Sequence, residues 1–309
     1  MNSLERWKKA ILHLECPTDR LTAAQDLERL LSRFEENLDT ITEEEWREVL
    51  KEVRDPRHSG TAVFFVHKDL RYLVTARHVV YDKVVAQEWN VNRIYSLIFR
   101  APSLDEFLSW SSLDTLPNPF SKQLRAVHPQ SYTLSNLDLA VISLDWGNSE
   151  FADELLLLGY VPLTMNDIAD EPSAEGVEVF TVGYLGATSL LEPLKGYLPL
   201  ALHPWVSTFA SLPTFSFGRV SMLHHHLPSF WCDMSVYPGN SGGPVIENDK
   251  LVGIVSAQAQ IESAILDRDE RELPYIAETR IPFGNIVKGK YVRELLETQI
   301  GKDTAAKPS

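Results

Sequence analysis

Gly239-Asn240-Ser241-Gly242-Gly243-Pro244 decides the reading of this chain. A hydroxyl set among glycines on a tight turn is what acyl transfer requires. Glycine reaches backbone angles closed to other residues and leaves no side chain in the path of a substrate. The same turn can aim backbone N–H groups at the point where a carbonyl oxygen gains negative charge. On this reading Ser241 is the candidate nucleophile, and the N–H groups of Gly239 and Ser241 form the candidate oxyanion hole. Taken alone, the hexamer could also be a glycine-rich turn that ends a strand.

A serine hydroxyl attacks poorly until a base takes its proton. Leu73-Val74-Thr75-Ala76-Arg77-His78 offers that base directly after an apolar strand, and a second apolar strand, Gly60 to Val66, precedes it. Asn136-Leu137-Asp138-Leu139-Ala140-Val141-Ile142 sets one acid against a run that reads as buried. A carboxylate there needs a partner, and an imidazole N–H is a suitable one. Alone, His78 reads as a structural histidine and Asp138 as a surface cap.

In the order His78, Asp138, Ser241, the three segments resemble the trypsin/chymotrypsin-fold serine peptidases, above all the bacterial trypsin-like, Deg-type branch. Phe180 to Tyr184, Gly218 to Val220, Leu251 to Ser256 and Ile281-Pro282 resemble further strands of that family, so the likeness covers Thr61 to about Leu296. The resemblance implies an all-β fold of two six-stranded antiparallel β-barrels, with the site in the cleft between them. His78 and Asp138 fall on the first barrel and Ser241 on the second. It also implies that Asn240 stands where trypsin-like zymogens carry the aspartate that pairs with a newly cut N-terminus, so activation by that salt bridge is not expected. Val79 replaces a common half-cystine, and too few residues follow Leu296 for a PDZ module.

The chain has 309 residues, a net charge of −14, 44% hydrophobic and 23% charged residues. Those values suit a globular chain. No run is long enough for a membrane helix, and no basic cluster exists to hold a nucleic acid backbone. The reading therefore expects neither membrane nor nucleic acid among its partners. Two cysteines, Cys16 and Cys232, and an N-terminus without a signal-peptide pattern give an expected cytoplasmic location.

Short strands bounded by turn residues dominate the chain. The expected organisation is an N-terminal segment with the first strand at Ala10 to Leu14 (1–20) and an acidic helical insertion (21–56). The first barrel (57–160) and the second (161–285) follow, then a C-terminal helix (286–300) and a loose tail (301–309). Capping boxes at Thr22 to Gln25 and Thr42 to Glu45 mark the insertion's two helices. Residues 21–53 are the candidate docking element for a regulatory partner.

By position relative to Ser241, the resemblance puts Ser235 at the base of the primary specificity pocket, with Ser256, Ala257 and Gln258 as its wall. Serine offers no carboxylate to a basic side chain, so small or medium apolar residues are expected before the cut bond. Asp233 could favour basic residues if a loop shift brought it inward. Adjacent residues of a regular strand face opposite ways, so His224-His225-His226 cannot all bind one ion, and neither metal nor cofactor is expected. The sequence reads as a serine endopeptidase acting on protein or peptide substrates. The alternatives are a non-catalytic or partner-activated module of the same fold, and an esterase using the same site.

Overall fold

β-Branched and aromatic residues alternate through 57–80 as Thr61-Ala62-Val63-Phe64-Phe65 and Tyr72-Leu73-Val74-Thr75. In a strand such neighbours point to opposite faces. In a computed structural model, which describes residues 2–17, 57–80, 96–98, 122–123, 131–132, 137–146, 149–185, 212–266 and 272–306, both faces of these strands are buried. Ala62 and Phe64 join Leu12, Leu14, Leu73, Ile142, Phe151 and Leu155 in one core. Val63 and Phe65 turn the other way, to Val182, Tyr184, Ile246 and Ile254 of the chain's second half. The two halves therefore share a core rather than touching through polar surfaces.

The first half is a sheet of β1 (Ile11–Pro17), β2 (Arg57–His67), β3 (Leu70–Ala76), β4 (Ser96–Ile98), β5 (Lys122–Gln123), β6 (Ser131–Tyr132) and β7 (Leu139–Ser143). Its order is β5-β4-β1-β2-β3-β7-β6. The second half is a closed barrel of β8 (Glu178–Gly183), β9 (Thr214–Met222), β10 (Ser229–Met234), β11 (Pro244–Glu247), β12 (Lys250–Leu266) and β13 (Glu272–Lys288), in the order β10-β13-β12-β11-β8-β9. The expectation of two closed six-stranded barrels holds for this half. The first sheet has seven strands, and among the described residues its ends β5 and β6 do not pair. Both of these strands are described over two residues.

Helix α1 (Ser3–Lys9), capped by the Asn2 side chain, precedes β1. Its Trp7 is fully buried, and the indole N–H donates to Asp249 Oδ1 at 2.7 Å. Ser3 Oγ donates to the same oxygen at 2.8 Å, and Arg6 reaches Asp249 at 3.3 Å and Asp167 at 2.5 Å. Asp249 lies in the two-residue β11–β12 turn, where Asn248 and Asp249 both have positive φ (48° and 61°). That pair of angles is the tight hairpin turn that Asn and Asp tolerate best. Thus α1 straps the start of the chain onto the barrel.

Helix α2 (Arg77–Val80) is a single turn after β3, and α3 (Ser149–Leu157) buries Phe151, Ala152 and Leu155 under the first sheet. The closing helix α4 runs from Gly289 to Ala306. It starts three residues later than the sequence reading, because Ile286 to Lys288 complete β13. It also takes in Gly301 to Ala306, placed above in the loose tail. Val292, Leu295, Leu296, Gln299 and Asp303 recur along its buried face. The insertion at 21–56 lies outside the described residues. Among the described residues, no helix is long and apolar enough to cross a membrane.

Candidate active site

The β3–β7 ladder pairs Ala76 with Leu139 and Thr75 with Ala140. That register leaves the residue after β3 opposite the residue before β7. Arg77 N–H accordingly donates to the Asp138 carbonyl at 3.0 Å. Asp138 holds φ at 49°, a left-handed angle that aspartate tolerates better than most residues. Its carboxylate is thereby turned onto α2. Oδ1 accepts the His78 backbone N–H at 2.9 Å, and Oδ2 accepts from His78 Nδ1 at 2.8 Å. With its Nδ1–H hydrogen-bonded to the carboxylate, the neutral ring presents Nε2 as its acceptor. The carboxylate side chain is 23% exposed and the imidazole 48%, so the ring stays open to a reactant.

A third donor meets the same carboxylate: Ser256 Oγ lies 2.7 Å from Asp138 Oδ2. The sequence reading used Ser256 only as pocket wall. In the fold its hydroxyl crosses from the barrel to the first sheet and helps fix the acid. Sequence spacing could not reveal this, because β12 and β7 meet only through the packing of the two halves.

The turn that carries Ser241 is held from both sides. Gly242 N–H donates to Val255 O at 2.8 Å, and Val255 N–H to Gly243 O at 2.9 Å, which ties the turn to β12. From the other side, Thr61 N–H donates to the Ser241 carbonyl at 2.8 Å. Thr61 Oγ1 donates to Gly239 O at 2.8 Å and accepts from Tyr184 N at 3.1 Å. Thr75 Oγ1 closes the group by donating to Thr61 O at 2.8 Å. Gly242 has φ 87°, and a Cβ there would overlap Thr61 O and Thr75 Oγ1 and lie 2.9 Å from Ala76 N, two residues before His78. Only glycine fits where the turn abuts the strand that leads to the histidine. Thr61, a buried polar residue at the head of the apolar run Ala62 to Val66, is the hint of this contact that the sequence carries.

Gly239 has φ 97°. Among the described residues, neither its N–H nor that of Ser241 donates to a backbone carbonyl, while the Gly239 carbonyl is turned away to Thr61. Asn240 between them is fully buried, and neither polar atom of its amide finds a partner among the described residues. The amide oxygen fills the space a Cβ would take at Gly183 and lies 2.8 Å from that of Gly243.

Ser256, Ala257 and Gln258 continue β12 from Val255, so the structure brings them beside the nucleophile turn. Ala257 is exposed, and Gln258 Nε2 donates to Ile281 O at 3.1 Å. Ser235 follows the end of β10 and is exposed. Asp233 lies inside β10, paired with Arg219 on one side and Phe283 on the other, so it is set in a ladder and not in a movable loop. His224 to His226 lie between β9 and β10. His225 Nδ1 pairs with Glu171 at 2.7 Å, and the His224 carbonyl accepts from the buried Lys288. Cys232 is a free, buried thiol whose pKa is pushed up to about 12 by burial and by Asp233.

Among solved structures the chain is similar to an Rv3671c protease in its inactive form, at 14% identity over 78% of this chain and 83% of that one, with a TM-score of 0.39. It is similar to a catalytically active tobacco etch virus protease complexed with product, at 10% identity over 97% and 81% with a TM-score of 0.44. A human heparin binding protein matches at 11% identity over 79% and 86%, also at 0.44. No curated protein matches the sequence. The family model described as a trypsin-like peptidase domain matches residues 60–254. That stretch runs from β2 through His78, Asp138 and Ser241 into β12 and takes in more than half of the sequence. The chain belongs to the trypsin-like peptidase domain family.

Proposed function

We propose that the chain is a serine endopeptidase with Ser241 as nucleophile, His78 as general base and Asp138 as the acid that orients it. The observation that carries this reading is the His78 Nδ1–Asp138 Oδ2 contact at 2.8 Å, on the strand end against which the Ser241 turn is seated. Ser241 Oγ attacks the peptide carbonyl while His78 Nε2 takes its proton. Asp138 holds the ring in the tautomer that permits this and stabilises the imidazolium. The oxyanion is received by the N–H groups of Gly239 and Ser241, each such donor typically contributing about 10²–10³ in rate. The imidazolium returns the proton to the leaving amine, and water then releases the acyl-enzyme by the reverse sequence.

The residue before the cut bond is a small or medium apolar one. Ser235 supplies no carboxylate, and Asp233 is engaged in two ladders that a shift toward the pocket would break. No metal or cofactor is needed for these steps.

Labelling with a fluorophosphonate, followed by digestion of a peptide library, tests the reading. The wild type should label, and Ser241→Ala should not and should lose about 10⁶ in turnover. A protein that labels and cleaves esters but no peptide is an esterase. One that does not label is a non-catalytic or partner-activated module of this fold.

A further inference from the structure

His13 is a polar residue among Ile11, Leu12 and Leu14 of β1, and it is buried with them at 2% exposure. The β1–β2 ladder sets it directly opposite Thr61. Residues facing each other across an antiparallel pair share a face, and so do residues two apart on one strand. His13, Thr61 and Ser59 therefore project together, on the face that Ile11 and Val63 turn toward the barrel. A buried imidazole costs free energy unless its nitrogens are bonded. Ser59 Oγ lies 2.7 Å from His13 Nε2 and meets part of that need.

The flat side of the ring meets the second half of the chain. His13 stacks on Tyr184, with ring centroids 4.9 Å apart and the planes at 12°. Tyr184 directly follows β8 and is 1% exposed. Its backbone N–H donates to Thr61 Oγ1 at 3.1 Å, and Thr61 Oγ1 donates to Gly239 O at 2.8 Å. A hydroxyl carries one hydrogen and two lone pairs. The Tyr184 N–H fills one lone pair of Thr61 and so fixes the direction in which its hydrogen points, which is toward Gly239. That direction depends on where the Tyr184 peptide stands, and the peptide follows its ring. The stack thus lies behind the nucleophile turn, where β1 of the first sheet meets the end of β8.

We propose that His13 is a positioning residue for the oxyanion hole. It acts through the Tyr184 ring and the Thr61 hydroxyl on Gly239, whose N–H is one of the two donors to the developing oxyanion. The nitrogen and the face of the ring have separate jobs. The nitrogen satisfies Ser59 and stabilises the fold; the face holds Tyr184 in register and sustains turnover. The proposal rests on the peptidase reading above and extends its site to a residue of β1.

The test divides those jobs between variants and reads kcat, KM and stability in each. His13→Gln keeps a polar group toward Ser59 and gives up the stack, whereas His13→Phe keeps the stack and gives up the bond. His13→Gln should lose about 10-fold in kcat with KM little changed, a part of the about 10²–10³ that one oxyanion donor contributes. His13→Phe should keep kcat within about 3-fold of the wild type, while its urea midpoint falls. Tyr184→Leu removes the stack from the other side and should repeat the His13→Gln result. An ester substrate and its thiono analogue then locate the defect. Sulfur is a weaker acceptor than oxygen, so an intact hole favours the oxo ester, and that preference should shrink at least about 5-fold in His13→Gln. Full kcat in His13→Gln, or a loss that leaves the oxo-to-thiono preference at its wild-type value, overturns the proposal and leaves the peptidase reading intact. A wild type that hydrolyses neither ester nor peptide overturns both.

Discussion

Asn240→Asp is the most direct probe of how this nucleophile turn is held. The substitution keeps the shape of the side chain and adds a charge at a fully buried position, where no cation is described within bonding reach. A carboxyl in such a site binds its proton about 10³–10⁵ times more tightly than in water, and each factor of ten is worth about 1.4 kcal/mol. Taking the lower figure, the variant is destabilised by about 4 kcal/mol at pH 8, by about 1.5 kcal/mol at pH 5, and not at all below the ordinary carboxylate range. The sign follows from the raised folded-state pKa: the folded variant prefers the proton, so its stability falls as pH rises. Urea denaturation at pH 5 and pH 8, with Ser241→Ala in both proteins to prevent self-cleavage, measures this directly. At a slope of about 3 kcal/mol per molar, the midpoint at pH 8 should drop by more than about 1 M relative to the parent, and by much less at pH 5. Equal midpoints at pH 8 would show that a positive group, such as a free N-terminal amine, reaches position 240. The inference that the turn stands without such a salt bridge would then be wrong.

Four other outcomes follow from the contacts around the site. Ser256→Ala removes one of three donors to the Asp138 carboxylate. A bond to a charged group is worth about 1.5–3 kcal/mol, so kcat should fall roughly 10- to 100-fold with KM little changed, and Ser256→Thr should recover part of the loss. Gly242→Ala forces a side chain into Thr61 O at a left-handed angle, so fluorophosphonate labelling should vanish while the circular dichroism of the barrel persists. Thr61→Val keeps volume but strands Gly239 O and Tyr184 N–H; the Gly239 peptide is then free to turn its carbonyl toward the oxyanion site, and kcat should drop about 10² without loss of the His78 Nδ1 proton resonance. On the acid side, burial alone would raise Asp167, but Arg6 and Thr164 outweigh it and hold its carboxyl below the usual range. Stability from this pair is present above the ordinary carboxylate pKa and lost as pH falls through the lowered one, so wild type should lose more urea resistance between pH 5 and pH 3 than Asp167→Asn.

Local chemistry made the three candidate residues legible. Gly239 to Pro244 needs its glycines for the turn itself, and the strands that present His78 and Asp138 are apolar because both of their faces are buried. The features that escaped are those fixed by distant partners. Helix α1 is seven residues long, too short to stand on propensity; Asp249, more than two hundred residues away, is what holds it. The full length of β12, Lys250–Leu266, escaped because 257–260 alternates alanine and glutamine and carries no apolar face, so the strand seemed to stop at Ser256. How the first sheet ends depends on which short strands meet, and the two-residue strands described there leave no periodicity to read. The reach of α4 to Ala306 is anchored by polar residues, Gln299 and the buried Asp303 bonded at 2.8 Å, where an apolar pattern would have been the signal.

The ladder register and the shared core govern different parts of the chemistry. The β3–β7 register sets His78 against Asp138, and Ser256 of the barrel steadies the same carboxylate. The seating of Ser241 depends on the interface, because the turn is bonded to Thr61 on one side and to Val255 on the other. A loss of packing between the halves should therefore unseat the Ser241 turn and also free Asp138 from Ser256. Trp7 reaches this interface through the core it shares with Val182, Ile246 and Ile254, and its indole holds the turn between β11, which begins three residues after Ser241, and β12. The strap at the start of the chain thus bears on the nucleophile from the far end of β11, mechanically rather than by charge.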